Sequence, residues 1–122
     1  MICVKLLLEN LPASLRGRQE TLARCIQSMH DVLPLRRVIL FGSHARGTAR
    51  ADSDVDLCLI ADGAQSQLNA AAEWRMAMRA VRPKPSFTLV PITPGRLREK
   101  EECGDPFFKT VLSEGVLLAQ ED

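Results

Sequence analysis

Two short apolar runs near the middle of the sequence are separated by a loop rich in turn-forming residues. The first run covers residues 38–41 and is followed by Gly42, and the second covers residues 55–60. Short apolar runs bounded by Gly and Asp are typical of strands that are buried in a sheet. The loop of residues 43–53 contains Gly, Ser and Asp at positions that favour turns. We therefore expect two buried strands joined by a loop that returns the chain to the second strand.

The remaining apolar residues recur at the spacing of helices or of one further short strand. Together the elements follow the order α-β-β-α-β-α-α, which predicts an α/β (α+β) fold with a small mixed β-sheet and helices packed against it. Besides the two strands above, the predicted elements are a helix that Asn10 caps, with Pro12 in its first turn, to about residue 32, a helix over residues 65–81, a strand at residues 87–90, a helix opened by Pro94, a helix capped by Asp105 or Gly104, and an apolar run at residues 116–118.

Size and composition restrict the class of protein. The chain has 122 residues, of which 46% are hydrophobic and 25% charged. We expect one compact domain over residues 1–122, with a motif-bearing core at residues 36–92. No stretch approaches the ~18 uncharged apolar residues of a membrane helix. A net charge of +1 and an aromatic content of 4% argue against a nucleic-acid-binding surface.

The four cysteines stand at positions 3, 25, 58 and 103, without the close pairs typical of zinc sites. The beginning of the chain does not have the basic and apolar regions of a secretory signal. We therefore expect reduced thiols, a cytoplasmic protein and no zinc.

Acidic and basic residues alternate in blocks along the chain. Residues 12–50 carry a net charge of +5, residues 51–62 of −4, residues 63–98 of +5 and residues 99–122 of −5. An acidic segment between two basic segments would suit a metal-bound polyphosphate, with carboxylates for the metal and arginines for the phosphates. The alternative is that most of these charges are solvated helix faces.

Two aspartates at the start of the second strand carry the strongest chemical indication. Residues two apart on a strand point to the same face, so Asp54 and Asp56 lie side by side while Val55 points to the core. Two neighbouring carboxylates repel each other unless a cation or a shared proton intervenes. Mg²⁺ fits such a pair, because it binds one or two carboxylates together with substrate phosphates. Alone, the pair could also be a strand end whose acids face water.

Gly42 and Ser43 follow the first strand directly. Gly42 allows another group to approach the backbone, and Ser43 offers a hydroxyl together with the N–H groups of any helical turn that begins there. Arg46 lies one turn further along and could reach the same phosphates. A strand followed by Gly-Ser, a loop and Asp-x-Asp on a second strand is far more specific than any of these parts alone.

The sequence reads Phe-Gly-Ser-His-Ala-Arg-Gly at residues 41–47 and Asp-Ser-Asp-Val-Asp-Leu at residues 52–57. This pattern resembles the signature of the minimal nucleotidyltransferases, a branch of the DNA polymerase β-like superfamily. The resemblance covers residues 36–118, including the Thr93-Pro94 step and the apolar segment near the end. It implies a polymerase β-like nucleotidyltransferase fold. It also implies a Mg²⁺-dependent transfer of a nucleoside monophosphate, AMP from ATP, onto a protein hydroxyl.

By the same resemblance, Asp54 and Asp56 would hold the metal. Gly42 and Ser43 would bind the terminal phosphates of the NTP, assisted by Arg46. Such domains also resemble the antitoxin half of two-gene toxin–antitoxin modules, whose partner is a helical HEPN-type protein. Because a chain this short has no second domain to position an acceptor, we expect a separate partner and a hetero-oligomer. A stand-alone enzyme for small molecules such as aminoglycosides is a weaker alternative.

One position departs from the family pattern. The family carries a third carboxylate on the third strand, and counting back from Thr93-Pro94 places it at Thr88. A threonine hydroxyl is a poor substitute for a carboxylate in a Mg²⁺ site. Two hypotheses therefore stand side by side: an active nucleotidyltransferase, and a degenerate module that binds nucleotide or its partner without turnover.

Three further side chains are assigned from their positions. His30 lies near the end of a helix and is interpreted as structural. His44 lies in the phosphate loop, where we expect a solvent-exposed side chain, with nucleotide contact as the alternative. Trp74 is interpreted as a core anchor.

Overall fold

The computed structural model describes residues 4–122. The strands are β1 (Val4–Leu6), β2 (Arg37–Phe41), β3 (Val55–Ile60), β4 (Phe87–Ile92) and β5 (Val116–Glu121). The helices are α1 (Gln19–Val32), α2 (Gly42–Arg46), α3 (Gln67–Met78), α4 (Pro94–Glu102) and α5 (Pro106–Glu114), with 3-10 turns at Leu8–Asn10 and Ala13–Arg18.

The strands form one mixed five-stranded sheet in the order β1-β5-β2-β3-β4. Strands β1, β5, β2 and β3 pair antiparallel with their neighbours, whereas β3 and β4 are parallel. The parallel pair is connected through α3, because parallel strands need a crossover that a helix usually supplies. The predicted mixed sheet with packed helices is confirmed.

Alternate residues of the central strands pack against different helices, because successive side chains of a strand point to opposite faces. One face carries Leu40 and Leu57 into a core that α1 and α3 cover. The other face carries Ile39, Cys58 and Ile60 into a smaller core with residues of α4 and α5. Trp74 lies fully buried in the first core, and its indole N–H donates to the Leu33 carbonyl at 3.0 Å. It is a core anchor, as predicted.

Side-chain caps begin the later helices where the sequence indicates. Thr93 accepts a hydrogen bond from the Arg96 N–H at 3.2 Å and is followed by Pro94, the predicted opening of α4. Asp105 accepts from the Phe108 N–H at 3.1 Å, which settles the cap of α5 in favour of Asp105 over Gly104. Such caps satisfy backbone donors that a helix leaves unpaired.

The predicted start of the first helix is wrong. Asn10 does not cap a helix; its side-chain amide donates to the Leu117 carbonyl of β5 at 2.9 Å. The chain forms 3-10 turns at Leu8–Asn10 and Ala13–Arg18, and the α-helix begins at Gln19. The predicted element order also omits β1 and the short helix α2. The apolar run predicted at residues 116–118 is part of a longer strand, β5. No helix within residues 4–122 combines the length and apolar character needed to cross a membrane.

Candidate active site

The loop between β2 and β3 opens with a short helix. Helix α2 starts at Gly42, directly after β2, and Gly47 ends it in the left-handed conformation with a φ of 77°. From the sequence, we expect Ser43 and the following N–H groups to bind phosphate if a helical turn begins here. The structure has such a turn at Gly42–Arg46. The first N–H groups of a helix have no partner within it, so they are available to an acceptor.

Gly42 lies directly against Asp56. Its φ is +76°, a conformation that L side chains rarely adopt. A Cβ atom built on Gly42 would overlap Oδ2 of Asp56 and would lie 3.0 Å from its Cγ. The glycine therefore allows the start of α2 to approach the carboxylate more closely than any other residue would. This contact brings together the two halves of the motif.

Asp56 occupies the middle of a row of three strand residues. In the sheet register it is the partner of Phe41 on β2 and of Thr88 on β4. Partners in register point to the same face of a sheet, the face on which Cys58 and Ile60 lie. The pairing places Thr88, which is exposed, directly beside Asp56 at the position that the sequence count assigned to the third carboxylate.

The two carboxylates are compatible with a cation. Asp54 is exposed and immediately precedes β3, and Asp56 is half-buried. Among residues 4–122, no basic side chain forms an ion pair with either carboxylate. Neighbouring carboxylates without a basic partner repel each other, and a hard divalent cation relieves that repulsion. Within the same residues, no cluster of three or more His, Cys, Asp or Glu side chains could hold a metal. The donor set therefore fits Mg²⁺ through two carboxylates, with other ligands from substrate or water.

Ser43 and Arg46 lie on the same short helix, and both are accessible to solvent. The carbonyl of Ser43 accepts the Thr48 N–H at 2.9 Å, which folds the loop back after Gly47. Among the described residues, the Arg46 guanidinium has no hydrogen-bond or ion-pair partner. The structure thus brings Gly42 against Asp56 and leaves Ser43 and Arg46 on the helix that Gly42 begins.

The prediction of a solvent-exposed His44 is wrong. The side chain is buried, 5% exposed, and its Nδ1 lies 2.8 Å from the Ser14 hydroxyl. Its Nε2 lies 3.4 Å from the carbonyl oxygen of Ser53. Because a carbonyl oxygen can only accept, Nε2 is the donor to Ser53, and in that tautomer Nδ1 accepts from the Ser14 hydroxyl. His44 directly follows Ser43, and Ser53 directly precedes Asp54. The contact between His44 and Ser53 therefore connects the two parts of the motif.

His30 is structural, as interpreted from the sequence. It is 6% exposed, and its Nδ1 accepts the Leu35 N–H at 2.9 Å in the turn that leads to β2. Cys58, two residues after Asp56 on the same face, is fully buried, and burial raises the pKa of its thiol to about 12. The Cys58 thiol, which lies on the same sheet face as Asp56, is therefore uncharged near neutral pH. Cys3 lies outside the described residues.

An aromatic side chain beside the site was not singled out from the sequence. Phe107 of α5 is 44% exposed and packs edge-on against Phe41, with ring centroids 5.4 Å apart. It also lines a cavity of about 420 Å³ together with Val90, two residues beyond Thr88 on β4, and Arg96 of α4. The Phe-Phe pair at the start of α5 is the sequence feature that could have indicated this side chain. Phe108 is buried in the core, whereas Phe107 is not.

Comparison with known proteins identifies the fold and the family. A crystal structure of a protein from Sulfolobus solfataricus, described as a "putative nucleotidyltransferase", superposes with a TM-score of 0.52 at 19% sequence identity. The match covers 85% of this chain and 81% of that chain. At this identity the likeness establishes the fold alone. No curated protein matches the sequence.

The family follows from the sequence match. Residues 20–115 match the family model described as "Nucleotidyltransferase domain". The chain therefore belongs to the nucleotidyltransferase domain family. The matched segment contains the whole of β2, α2, β3 and β4, and hence all the residues discussed above for the motif.

Proposed function

We propose that this chain is a Mg²⁺-dependent nucleotidyltransferase that transfers AMP from ATP to a hydroxyl group of a protein partner. The observation that carries the proposal is the contact of Gly42 with Asp56. This contact holds the phosphate-binding turn against the carboxylate pair, as a reaction at the phosphates of an NTP requires. In this proposal residues 1–122 act as one minimal nucleotidyltransferase domain.

Each motif residue has a role in the proposal. Asp54 and Asp56 hold the metal, which when bound would offset the negative charge of the phosphates. Ser43 and the N–H groups at the start of α2 bind the β- and γ-phosphates, and Arg46 neutralises part of their charge. The acceptor oxygen forms a bond to the α-phosphorus, the bond from the α-phosphorus to the oxygen shared with the β-phosphorus breaks, and pyrophosphate leaves with that oxygen while the hydroxyl proton passes to water. The protein contributes mainly the positioning of the acceptor hydroxyl in line with the leaving pyrophosphate.

The acceptor side of the site lies along β4. The cavity beside Phe107 is lined by Val90, which lies two residues beyond Thr88 on the same face of β4, so a side chain presented by a second protein has room to approach along this strand. The resemblance supports a helical HEPN-type protein as that partner. The chain would then be the antitoxin of a toxin–antitoxin pair and would form a hetero-oligomer in the cytoplasm.

A second candidate function is favoured by Thr88. Its place beside Asp56 leaves the acceptor side of the metal site without a third carboxylate. A module of this kind would bind nucleotide, or only its partner, and would transfer the nucleotide slowly or not at all. The alternative differs from the main proposal in its lack of efficient turnover.

One experiment tests the proposed function. Wild type and the Asp54→Asn/Asp56→Asn variant are titrated with ATP in the presence and absence of Mg²⁺. We expect Mg²⁺-dependent ATP binding by the wild type and its loss in the variant, with AMP transfer to the co-purified partner lost in parallel. Equal Mg²⁺-dependent binding by both proteins would remove the metal assignment and with it the proposed reaction.

The Thr88→Asp variant separates the two candidates. If the wild type is impaired by its missing carboxylate, this variant should transfer α-labelled AMP faster under single-turnover conditions, with little change in ATP affinity. Folding is checked with Mg²⁺ present, because a third acid beside two others costs stability. Fast transfer by the wild type, with a folded variant no faster, would reject the degenerate module.

The partner is tested by co-expression with the product of the adjacent gene, followed by size-exclusion chromatography. A single co-eluting complex supports the hetero-oligomer. Two separately eluting proteins would contradict it.

A further inference from the structure

A second cavity, of about 380 Å³, lies where β3 and β4 begin. Its walls come from the 3-10 turn Ala13–Arg18, from the loop at residues 49–53 and from residues 84–86. Gly42, Ser43, Asp54 and Asp56 do not line it. Val55, which does line it, points to the opposite sheet face from Asp56. The cavity is therefore distinct from the site of the acidic pair.

Basic side chains dominate the charge of this cavity. Arg18, Arg50 and Lys84 line it, against the single carboxylate of Asp52. Within residues 4–122, neither guanidinium has an ion-pair or side-chain hydrogen-bond partner, and the Lys84 ammonium donates only to the Val81 carbonyl, at 3.2 Å. A concave surface with unpaired cations attracts anions, and the planar guanidinium binds two phosphate oxygens at once.

The remaining lining groups suit a small ligand. The hydroxyl group of Ser86 is at the wall and can donate a neutral hydrogen bond, while Leu15 and Pro85 supply apolar surface. The volume lies at the lower end of the range of roughly 300–1,000 Å³ for small-molecule pockets. A recessed cavity of this size has room for a phosphate group or for a phosphate ester of nucleotide size, whereas a nucleic-acid strand needs an extended basic groove.

We propose that this cavity binds the phosphate group of a small ligand, either inorganic phosphate or a phosphate ester of nucleotide size, without a metal. The inference does not depend on the proposed transfer reaction, because it uses none of the residues assigned to that reaction. The cavity nevertheless adjoins the motif on both sides. His44, which follows Ser43, and Ser53, which precedes Asp54, both line it.

The test measures anion binding calorimetrically in EDTA, which removes any metal-dependent site. The titrants are inorganic phosphate and AMP. We expect saturable binding by the wild type and at least a tenfold weaker affinity in Arg18→Ser/Arg50→Ser. The control variant Arg16→Ser/Arg24→Ser removes the same charge from exposed positions outside the cavity and should bind within twofold of the wild type. Tighter binding of AMP than of phosphate identifies an ester as the ligand, and equal binding identifies the free anion; both support the site.

Two further variants keep the test decisive. Ser43→Ala/Arg46→Ser removes the two side chains assigned to phosphate in the motif site and should bind the anions as the wild type does; if it loses them, the anion is in the motif site and the proposal is wrong. Arg18→Lys/Arg50→Lys keeps the charge and, if the serine variant does not fold, should show a smaller but measurable loss of affinity. Absence of saturable binding by the wild type, or an equal loss in the Arg16/Arg24 control, would overturn the proposal. Preference for a short single-stranded oligonucleotide over AMP would also overturn it.

Discussion

Replacing Gly42 by alanine should cost more stability than its backbone conformation alone explains. A left-handed φ costs a non-glycine residue roughly 1–2 kcal/mol. The new Cβ would also overlap Oδ2 of Asp56, so the carboxylate must move, and overfilling of a packed site typically costs about 1–3 kcal/mol. We therefore expect Gly42→Ala to lower the free energy of unfolding by about 2–5 kcal/mol.

Gly47 provides a matched control. Its φ is +77°, nearly that of Gly42, but a Cβ built there would meet nothing within 4 Å. Gly47→Ala should therefore show only the backbone cost of about 1–2 kcal/mol. Urea denaturation of both variants in EDTA, monitored by the fluorescence of Trp74, gives the difference between them.

A double-mutant cycle with Asp56→Ala locates the cause of that difference. Asp56→Ala removes Oδ2 and Cγ and leaves only the Cβ of residue 56, which lies 3.3 Å from the added atom. The cost of Gly42→Ala should then fall towards that of Gly47→Ala, which gives a coupling energy of about 1–3 kcal/mol. If the cost of Gly42→Ala is the same with and without the Asp56 carboxylate, Gly42 is a turn residue only, and its contact with Asp56 does not hold the two halves of the motif together.

Four other predictions concern individual side chains. Ser43→Ala should weaken ATP binding much more than AMP binding, because the hydroxyl is assigned to the terminal phosphates; an equal loss for both ligands would make Ser43 structural. His44→Phe should destabilise the protein by about 1–3 kcal/mol, since it removes the acceptor of Ser14 and the donor to Ser53, whereas Ser14→Ala should cost less. Exposed Cys103 should react with iodoacetamide at pH 8 while Cys58 stays protected until unfolding. The pKa of Cys58 is raised to about 12 from 9.0, so the unfolded chain releases this proton first. Its contribution to stability is complete below pH 9 and is lost as the pH rises towards 12, and Cys58→Ala should flatten that decline in alkaline urea titrations.

The strands that position the site were predictable because their signals are local. Residues 38–41 and Val55–Ile60 were expected as strands and form β2 and β3, and the third predicted strand at residues 87–90 is the first part of β4. An apolar run bounded by Gly, Asp or Pro can be recognised from a few neighbouring residues, without knowledge of distant contacts. The expectation that Gly42 permits a close approach also holds, although the sequence could not say that the approaching group is Asp56.

The errors fall where distant residues decide the local structure. Asn10 fits the pattern of a helix cap, but its amide is taken by Leu117 at the other end of the chain. His44 looks like a loop residue, yet Ser14 and the Ser53 carbonyl enclose it. Strand β1 has three residues with a lysine in the middle, and its hydrogen bonds depend on β5. Propensity cannot predict contacts of this kind, because the partner is remote in sequence.

The place of β5 between β1 and β2 affects the order in which the sheet can form during synthesis. Val4 pairs with Glu121, and Arg37 of β2 pairs with Gln120 of the same strand. Of the five strands, β1 leaves the ribosome first and therefore has no neighbour in the sheet until β5 has followed it. Strands β2, β3 and β4 can associate earlier, because their partners are closer in the chain and cost less loop entropy to bring together. While translation is unfinished, the free edge of β2 is unpaired, so a nascent chain that stalls before residue 116 exposes a strand edge prone to association with other chains.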